Sequence, residues 1–134
     1  YGIKIFLGAI DTAKNSKFIE TLQGDIDDLW KAPQGSKEKT YDMSSKIEEI
    51  CFIDDDYENL IFLPPESEEL PPIILEHIDI SNITRSSGSE VKRIPISDDA
   101  ERPPTRALCF GVVDGEADLF LSKAYGENMA MIKK

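Results

Sequence analysis

The chain contains few of the residues that most often carry acid–base and metal chemistry. Its 134 residues include one histidine, His77, and two cysteines, Cys51 and Cys109. Zinc sites usually take four cysteine or histidine ligands at close spacings, and that pattern is missing here. Any catalysis that needs an imidazole must use His77, for which we favour a structural or simply exposed role. The sequence therefore predicts no metal site, no cofactor and no catalytic centre.

Long apolar runs are missing as well. No stretch approaches the roughly 18 apolar residues that a membrane span needs. The opening YGIKIFLGAIDTAKN lacks the charged leader and the cleavage pattern of a signal peptide. The hydrophobic content of 40% is enough to build one core. We expect a soluble single domain, residues 1–134, and its start at Tyr1 is compatible with a fragment of a longer chain.

Each cysteine lies inside a short apolar run, ICFI for Cys51 and LCFG for Cys109. A free thiol in such surroundings behaves as a small hydrophobic side chain. A domain of this length does not need a disulfide in order to fold. We therefore favour two buried free thiols over a disulfide, and with them a reducing, cytoplasmic location.

The negative charge is concentrated in one quarter of the chain, which has a formal net charge of −11. Residues 1–45 contain six lysines and seven acids, and residues 80–134 contain eight bases and eight acids. Residues 46–79 contain one lysine and eleven acids. Such a field repels nucleic-acid phosphates and anionic lipid headgroups. We expect a protein partner with a basic surface, and no direct binding to nucleic acid or to a membrane.

The first third of the chain predicts one strand and one helix. GIKIFLGAI is a short apolar run with β-branched residues, typical of a buried strand. NSKFIETLQGDIDDLWKAP predicts an amphipathic helix that is capped by Asn15 or Ser16, interrupted or kinked at Gly24 and ended by Pro33. QGSKEKT, after it, is typical of a polar loop. The predicted apolar stripe of the helix consists of Phe18, Ile19, Leu22, Ile26, Leu29 and Trp30.

The remainder predicts mainly strands. A β-hairpin with its tip near Asp55 to Glu58 is predicted by the apolar runs KIEEICFI and NLIFLPP, which flank the turn residues DDDYE. A stiff acidic loop is predicted after it, because ESEEL lies between two pairs of prolines. PIILEHIDI, EVKRIPI, RALCFGVV and ADLFLSKA predict four more strands, with a hairpin turn at Asp114-Gly115. YGENMAMIKK predicts a short terminal helix. The predicted class is α+β: a mostly antiparallel, bent sheet or partly closed barrel with an N-terminal amphipathic helix and a short C-terminal helix.

Four parts of residues 46–134 are similar in layout to a known fold: the hairpin ICFIDDDYENLIFL, the segment ILEHIDISNITR, the pair ALCFGVVDGEADLFL and the tail. Their arrangement resembles pleckstrin-homology-like domains. Such domains close a bent antiparallel sheet with a C-terminal helix. The basic loop with which they bind phosphoinositides has no counterpart here, and the helix of residues 15–31 departs from the pattern. The resemblance therefore implies a protein-binding version of the fold.

Two groups of acids are the candidate binding residues. Carboxylates bind Ca²⁺ and Mg²⁺, but a calcium loop of the helix–loop–helix kind needs a central glycine and a distal glutamate, and DDDYENLIFLPP supplies neither. We interpret both groups as solvated charge whose functional role is contact with a partner. The groups are Asp54, Asp55, Asp56 and Glu58 at the hairpin tip, and Glu66, Glu68 and Glu69 in the acidic loop.

The favoured function is that of a non-catalytic protein–protein interaction domain that uses these acids to bind a basic or polar partner. One alternative is a small acidic inhibitor or immunity-type protein, whose carboxylates would be spaced like phosphates and would block a nucleic-acid-binding site on its target. A second alternative is a small α/β-type enzyme. Its anionic substrate would bind where the first strand meets the helix, with Asp11 and His77 as acid–base groups.

Overall fold

A computed structural model of the chain describes residues 2–55, 58–63, 73–86, 88–92, 95–97, 100–101 and 104–133. Within these residues the helices are α1, Gly2–Lys31, and α2, Ile80–Ile83. Neither helix combines the length and the apolar content of a membrane span. The strands are β1 Gly35–Asp42, β2 Glu49–Ile53, β3 Leu60–Leu63, β4 Glu90–Lys92, β5 Pro95–Ser97, β6 Ala100–Glu101, β7 Thr105–Gly111, β8 Glu116–Lys123 and β9 Met131–Lys133.

The described strands form two antiparallel sheets and one short pair. Sheet A has three strands in the order β1-β8-β9, and sheet B has four in the order β3-β2-β7-β4. Strands β5 and β6 pair with each other. The α+β class, the mostly antiparallel strands and the N-terminal helix are confirmed. The strands lie in separate sheets and do not close into a barrel within the described ranges.

Helix α1 is longer than the sequence predicted, because residues 2–10 are helical and not a strand. An apolar run of that length fits a buried strand or a buried helix equally well by its pattern. No proline separates it from the amphipathic segment, so the helix continues through Asn15 and Ser16, which do not cap it. Helix growth is cooperative once a nucleus exists. The helix also continues through Gly24 and ends at Lys31, two residues before Pro33.

One face of α1 supplies the centre of the hydrophobic core. Leu22 and Ile26 are fully buried, and the ring of Phe18 lies 5.6 Å from that of Tyr41 and 5.9 Å from that of Phe62, measured between centroids. Tyr41 belongs to sheet A and Phe62 to sheet B, so Phe18 joins both sheets. Trp30, which was assigned to the same stripe, is 40% exposed and lies outside the core.

Strands β2, β3 and β7 of sheet B have buried side chains on both faces of the sheet. Alternate residues of a strand point to opposite sides. Ile50 and Phe52 face the main core beneath α1. The opposite face carries a second cluster of buried residues, namely Cys51, Ile53, Ile61, Ala107 and Cys109.

Cys51 and Cys109 lie directly opposite each other in the β2–β7 register, and they form a disulfide with a Cα–Cα distance of 4.0 Å. The prediction of two free thiols is wrong, because the sequence does not show that two residues 58 positions apart become cross-strand neighbours.

The predicted β2–β3 hairpin is confirmed, and Ile50 opposes Phe62 in its register. The predicted strand PIILEHIDI is wrong: residues 73–79 make only isolated bridges, at Ile73 and Ile78, before α2 begins. The reason is local. His77 has a backbone φ of 66°, in the left-handed region, and this residue breaks the alternation that a strand requires.

Asp114 and Gly115 form a turn, as predicted, with φ values of 53° and 77°. Val113 and Glu116 exchange backbone hydrogen bonds across it, at 2.9 and 3.0 Å, so the predicted hairpin turn is confirmed. The pairing does not continue beyond these residues, because β7 pairs in sheet B and β8 pairs in sheet A. The turn is therefore the crossing point between the sheets.

Both strands that flank β8 were missed. QGSKEKT was predicted as a loop, but residues 35–42 form β1, which pairs with β8 along its full length. The predicted C-terminal helix is wrong too, since residues 131–133 form β9 on the other side of β8. In both cases a neighbouring strand supplies backbone hydrogen bonds that local composition does not reveal.

Candidate functional site

The acidic residues predicted to bind a partner are only partly described. Asp54 is exposed, and Asp55 and Glu58 are half-buried, where β2 ends and β3 is about to begin. Asp56, Glu66, Glu68 and Glu69 lie outside the described residues. The structure therefore places Asp54, Asp55 and Glu58 at one end of sheet B.

Asn59 attaches this end of the hairpin to the segment of residues 73–77. Its backbone N–H donates to the carbonyl of Ile73 at 2.9 Å. Its side-chain amide donates to the carbonyl of Leu75 at 3.0 Å and accepts from the Leu75 N–H at 2.8 Å. The side chain is buried, so these bonds are shielded from water. Glu58 directly precedes Asn59, and Glu76 directly follows Leu75. Both glutamates belong to the acidic part of the sequence, residues 46–79.

Gln23 of α1 holds the same segment from the other side. Its side-chain N–H₂ donates to the carbonyl of Glu76 at 3.0 Å, and its side-chain oxygen accepts from the Glu76 N–H at 2.8 Å. The N–H₂ also donates to a carboxylate oxygen of Asp27 at 3.0 Å. One glutamine thus fixes the backbone of Glu76 and orients Asp27, one turn further along the helix.

Trp30 and His77 form the centre of this region. Their rings stack with a centroid distance of 3.7 Å and an interplanar angle of 10°. Nδ1 of His77 lies 3.0 Å from Oδ1 of Asp27, and its N–H donates to that oxygen. One face of the indole is thereby covered, while the side chain as a whole stays 40% exposed. The stack and the hydrogen bond together define the position of the imidazole against the indole.

The turn between β8 and β9 borders the stacked rings. The ammonium of Lys123 donates to the carbonyls of Trp30 and Ala32, both at 2.7 Å, and a cation at the end of a helix is favourable for the helix dipole. At the far end of the turn, the Ala130 N–H donates to the carbonyl of His77 at 2.9 Å. We call the resulting region the Trp30 surface. It comprises Trp30, His77, Asp27 and Glu76, and the turn that borders it carries the exposed residues Tyr125, Glu127 and Met129.

A catalytic dyad of the nucleophilic type needs a hydroxyl or thiol at the second nitrogen of the imidazole. Within the described ranges, no hydroxyl or thiol is hydrogen-bonded to His77. The contacts that the structure shows for the ring are the stack on Trp30 and the hydrogen bond to Asp27.

Asp25 is the most heavily bonded carboxylate of the described residues. It accepts from the Tyr41 hydroxyl at 2.7 Å, from Lys37 at 2.9 Å and from Lys39 at 3.2 Å. Burial acts to raise the pKa of Asp25, but these hydrogen bonds outweigh it and hold the pKa below its usual value. The pKa of Tyr41 is raised strongly by burial and by Asp25, and that of Lys37 is raised by its bond to Asp25. The cluster joins α1 to β1 and has the character of a structural support.

The geometry assumed for the enzyme alternative is absent. Residues 2–31 form one continuous helix, so there is no junction between a first strand and a helix where a phosphate could bind. Asp11 lies within this helix, and its side chain is outside the described part of the structure.

One group of residues has the spacing of metal ligands in the described part of the chain. Ligand atoms of Glu49, Cys51 and Cys109 all lie within 4.8 Å of one another. Metal binding by cysteine requires the thiolate, and both sulfurs are bonded to each other in the disulfide. This group does not hold a metal while that bond is present.

Comparison with protein-family models, with curated proteins and with solved structures finds no match to this chain. Its function must therefore be argued from the geometry.

Sequence reasoning missed the residues that build the Trp30 surface. Gln23 and Asn59 are polar residues of ordinary appearance, and their role depends on contacts across 53 and 16 positions. A signal did exist for Trp30: it is the only tryptophan, and it ends the apolar stripe two residues after Asp28.

Proposed function

We propose that this chain is a non-catalytic protein-interaction domain that binds a partner with a basic surface. The observation that carries the proposal is the half-exposed indole of Trp30, stacked on His77 among acidic side chains. Tryptophan, tyrosine and methionine are enriched at interfaces, and rigid aromatic anchors dominate binding energy. The turn that follows Lys123 carries two more side chains of this kind, Tyr125 and Met129, which are 80% and 48% exposed.

Charge supports a basic partner. Glu76 is exposed on the Trp30 surface, and Glu127 is exposed in the turn beside it. Glu58 precedes Asn59, whose side chain is bonded to Leu75, the residue before Glu76. An arginine side chain can stack on an indole by a cation–π interaction while it pairs with a neighbouring carboxylate. Further contacts with the partner stay a prediction for the acids of the hairpin tip and the acidic loop, namely Asp54, Asp55, Asp56, Glu58, Glu66, Glu68 and Glu69. The alternative function, that of a small acidic inhibitor, stays a prediction as well.

The resemblance of residues 46–134 to pleckstrin-homology-like domains also stays a prediction, since no family and no solved structure matches. The cytoplasmic location was inferred from free thiols and loses that support, because Cys51 and Cys109 are bonded. Disulfides form and persist in oxidising compartments. We propose that the domain functions in such a compartment.

The test uses a fluorescein-labelled arginine-rich peptide, with a glutamate-rich peptide of equal length as the charge-reversed control. Fluorescence anisotropy should show saturable binding of the arginine peptide alone. Binding should weaken markedly above about 0.5 M salt, where screening shortens the reach of surface charges to a few Å. Trp30→Ala should weaken it at least tenfold, the effect expected for an interface anchor.

Two matched variants test whether affinity depends on where negative charges are removed or only on how many are removed. Glu76→Gln/Glu127→Gln removes two charges from the Trp30 surface and the turn beside it. Glu20→Gln/Glu116→Gln removes two from exposed positions elsewhere. Only the first variant should lose affinity strongly. Equal losses in both would show that general attraction, and not this surface, binds the peptide.

A further inference from the structure

A second surface of this acidic chain carries the opposite charge. A groove of about 370 Å³ lies between α1 and β1. Its walls include three lysines, Lys14 and Lys17 from the helix and Lys39 from the strand, and the hydroxyl of Thr21. Small-molecule sites typically have volumes of about 300–1,000 Å³, so the groove is large enough for a small ligand.

The sequence places the helical side chains on one face. Positions 14, 17 and 21 follow the spacing of three and four residues that brings side chains together on a helix. The floor is formed by Phe18 and Tyr41, whose rings meet edge to face and hold the helix against β1. The groove is therefore lined by two elements whose relative position is set by the core.

The three lysines differ in whether a carboxylate neutralises their charge. Lys39 pairs with Asp25 at 3.2 Å and lies 5.3 Å from the centroid of the Tyr41 ring, so its ammonium has a defined position. Lys14 and Lys17 are exposed, and no ion pair joins either of them to a carboxylate in the part of the chain that the structure describes. Like charges three residues apart on a helix repel each other. An anion between them would relieve that repulsion.

We propose that this groove binds a small phosphate-bearing molecule. Lysine ammoniums act as point charges that suit phosphate, and Lys14 and Lys17, together with Lys39, favour a dianion over a carboxylate. The Thr21 hydroxyl can donate to a phosphate oxygen. Three acids at the groove oppose binding: Asp42 in the lining, Asp25 on Lys39, and Asp118, which accepts from the hydroxyl of Thr40. Acids farther away than about 8–10 Å are screened at ordinary salt.

The site is separate from the Trp30 surface. Lys17 and Trp30 are thirteen positions apart on the same helix, which corresponds to about 20 Å at 1.5 Å per residue. A phosphate ligand and a protein partner could therefore bind at the same time. The proposal does not depend on the protein-interaction function.

The test is an NMR titration of the ¹⁵N-labelled protein with inorganic pyrophosphate, at constant ionic strength and with sodium acetate as the control anion. Saturable shifts are expected for the amides of residues 14–21 and 39–42 with pyrophosphate alone. Lys14→Gln/Lys17→Gln should raise the dissociation constant at least tenfold. Lys31→Gln/Lys133→Gln removes the same charge from exposed lysines outside the groove and should change it less than twofold.

Three outcomes would overturn the proposal. The first is the lack of a saturable shift in the wild type, and the second is equal weakening in both double variants. The third is binding to vesicles that contain a phosphoinositide without binding to pyrophosphate, which would assign the lysines to a membrane surface. Unchanged amide shifts elsewhere in each variant show that the fold is intact.

Discussion

The indole of Trp30 stacks on the imidazole of His77, and the same imidazole donates a hydrogen bond to Asp27, three residues before Trp30 on α1. A single residue from the segment of residues 73–79 thereby orients an aromatic ring and a carboxylate on the helix. The left-handed backbone of His77 allows this, because it turns the side chain out of the alternation that a strand would impose.

Ionic quenchers should detect the acids around Trp30. Because the chain has one tryptophan, its fluorescence reports on this surface alone. At low ionic strength caesium should quench it more efficiently than iodide, relative to free N-acetyltryptophanamide, since acidic side chains attract cations and repel anions. Glu76→Gln/Glu127→Gln should narrow the difference between the two ions, with neutral acrylamide as the control for exposure. Equal quenching by both ions in the wild type would contradict the acidic character of the surface.

The Tyr41 hydroxyl should stabilise the fold in a pH-dependent way. Tyr41→Phe removes a buried hydrogen bond to the charged carboxylate of Asp25, and bonds of this type are worth about 1.5–3 kcal/mol. The pKa of Asp25 is lowered in the folded state. The stabilisation is therefore present above the unfolded pKa of about 4 and is lost as the pH falls through the folded pKa.

Chemical denaturation from pH 7 down to pH 2 measures this effect. The difference in unfolding free energy between wild type and Tyr41→Phe should be full at pH 7 and should shrink below about pH 4. Tyr125→Phe changes a tyrosine that is 80% exposed and should have no effect at any pH. A difference that stays constant over this range would show that Asp25 is not the acceptor that matters.

Sequence reasoning succeeded where a pattern is local and failed where a contact is distant. The helical spacing of Phe18, Leu22 and Ile26 marked the buried face of α1, and the apolar runs around the acidic turn marked β2 and β3. In contrast, β1 consists of polar residues that no composition rule assigns to a strand, and it exists because β8 pairs with it. The disulfide and the Trp30 surface depend in the same way on which elements become neighbours.

Gly24 should be a site of easy stabilisation. It lies inside α1, where a glycine costs about 1 kcal/mol against alanine, and a Cβ at this position would meet no atom within 4 Å. Gly24→Ala should therefore raise the unfolding free energy by up to about 1 kcal/mol, measured by urea denaturation. An unchanged or lower value would indicate that the helix is interrupted there, as the sequence had suggested.

Gly115 should be much less tolerant than Gly126, although both have positive φ values. A Cβ on Gly115 would lie 2.6 Å from the backbone oxygen of Met43, whereas one on Gly126 would meet nothing within 4 Å. Gly126→Ala should cost only the left-handed penalty of about 1–2 kcal/mol. Gly115→Ala should cost about 2–5 kcal/mol, because the crossing between the sheets must also move. Equal losses in urea denaturation would mean that the turn at Gly115 relaxes freely.

The disulfide between Cys51 and Cys109 should be a main source of stability. It closes a loop of 58 positions, and restricting the unfolded chain in this way is worth about 4 kcal/mol in the chain-entropy treatment. Cys51→Ala/Cys109→Ala should therefore lower the melting temperature by on the order of 10–15 °C. Wild type that is reduced in the unfolded state and refolded with reductant should have a melting temperature similar to that of the double variant. The double variant itself should not respond to reductant.

Alkylation with iodoacetamide in denaturant, before any reduction, should modify no cysteine of the wild type. Two modified cysteines in protein refolded in air would restore the free-thiol interpretation, and with it the reducing compartment.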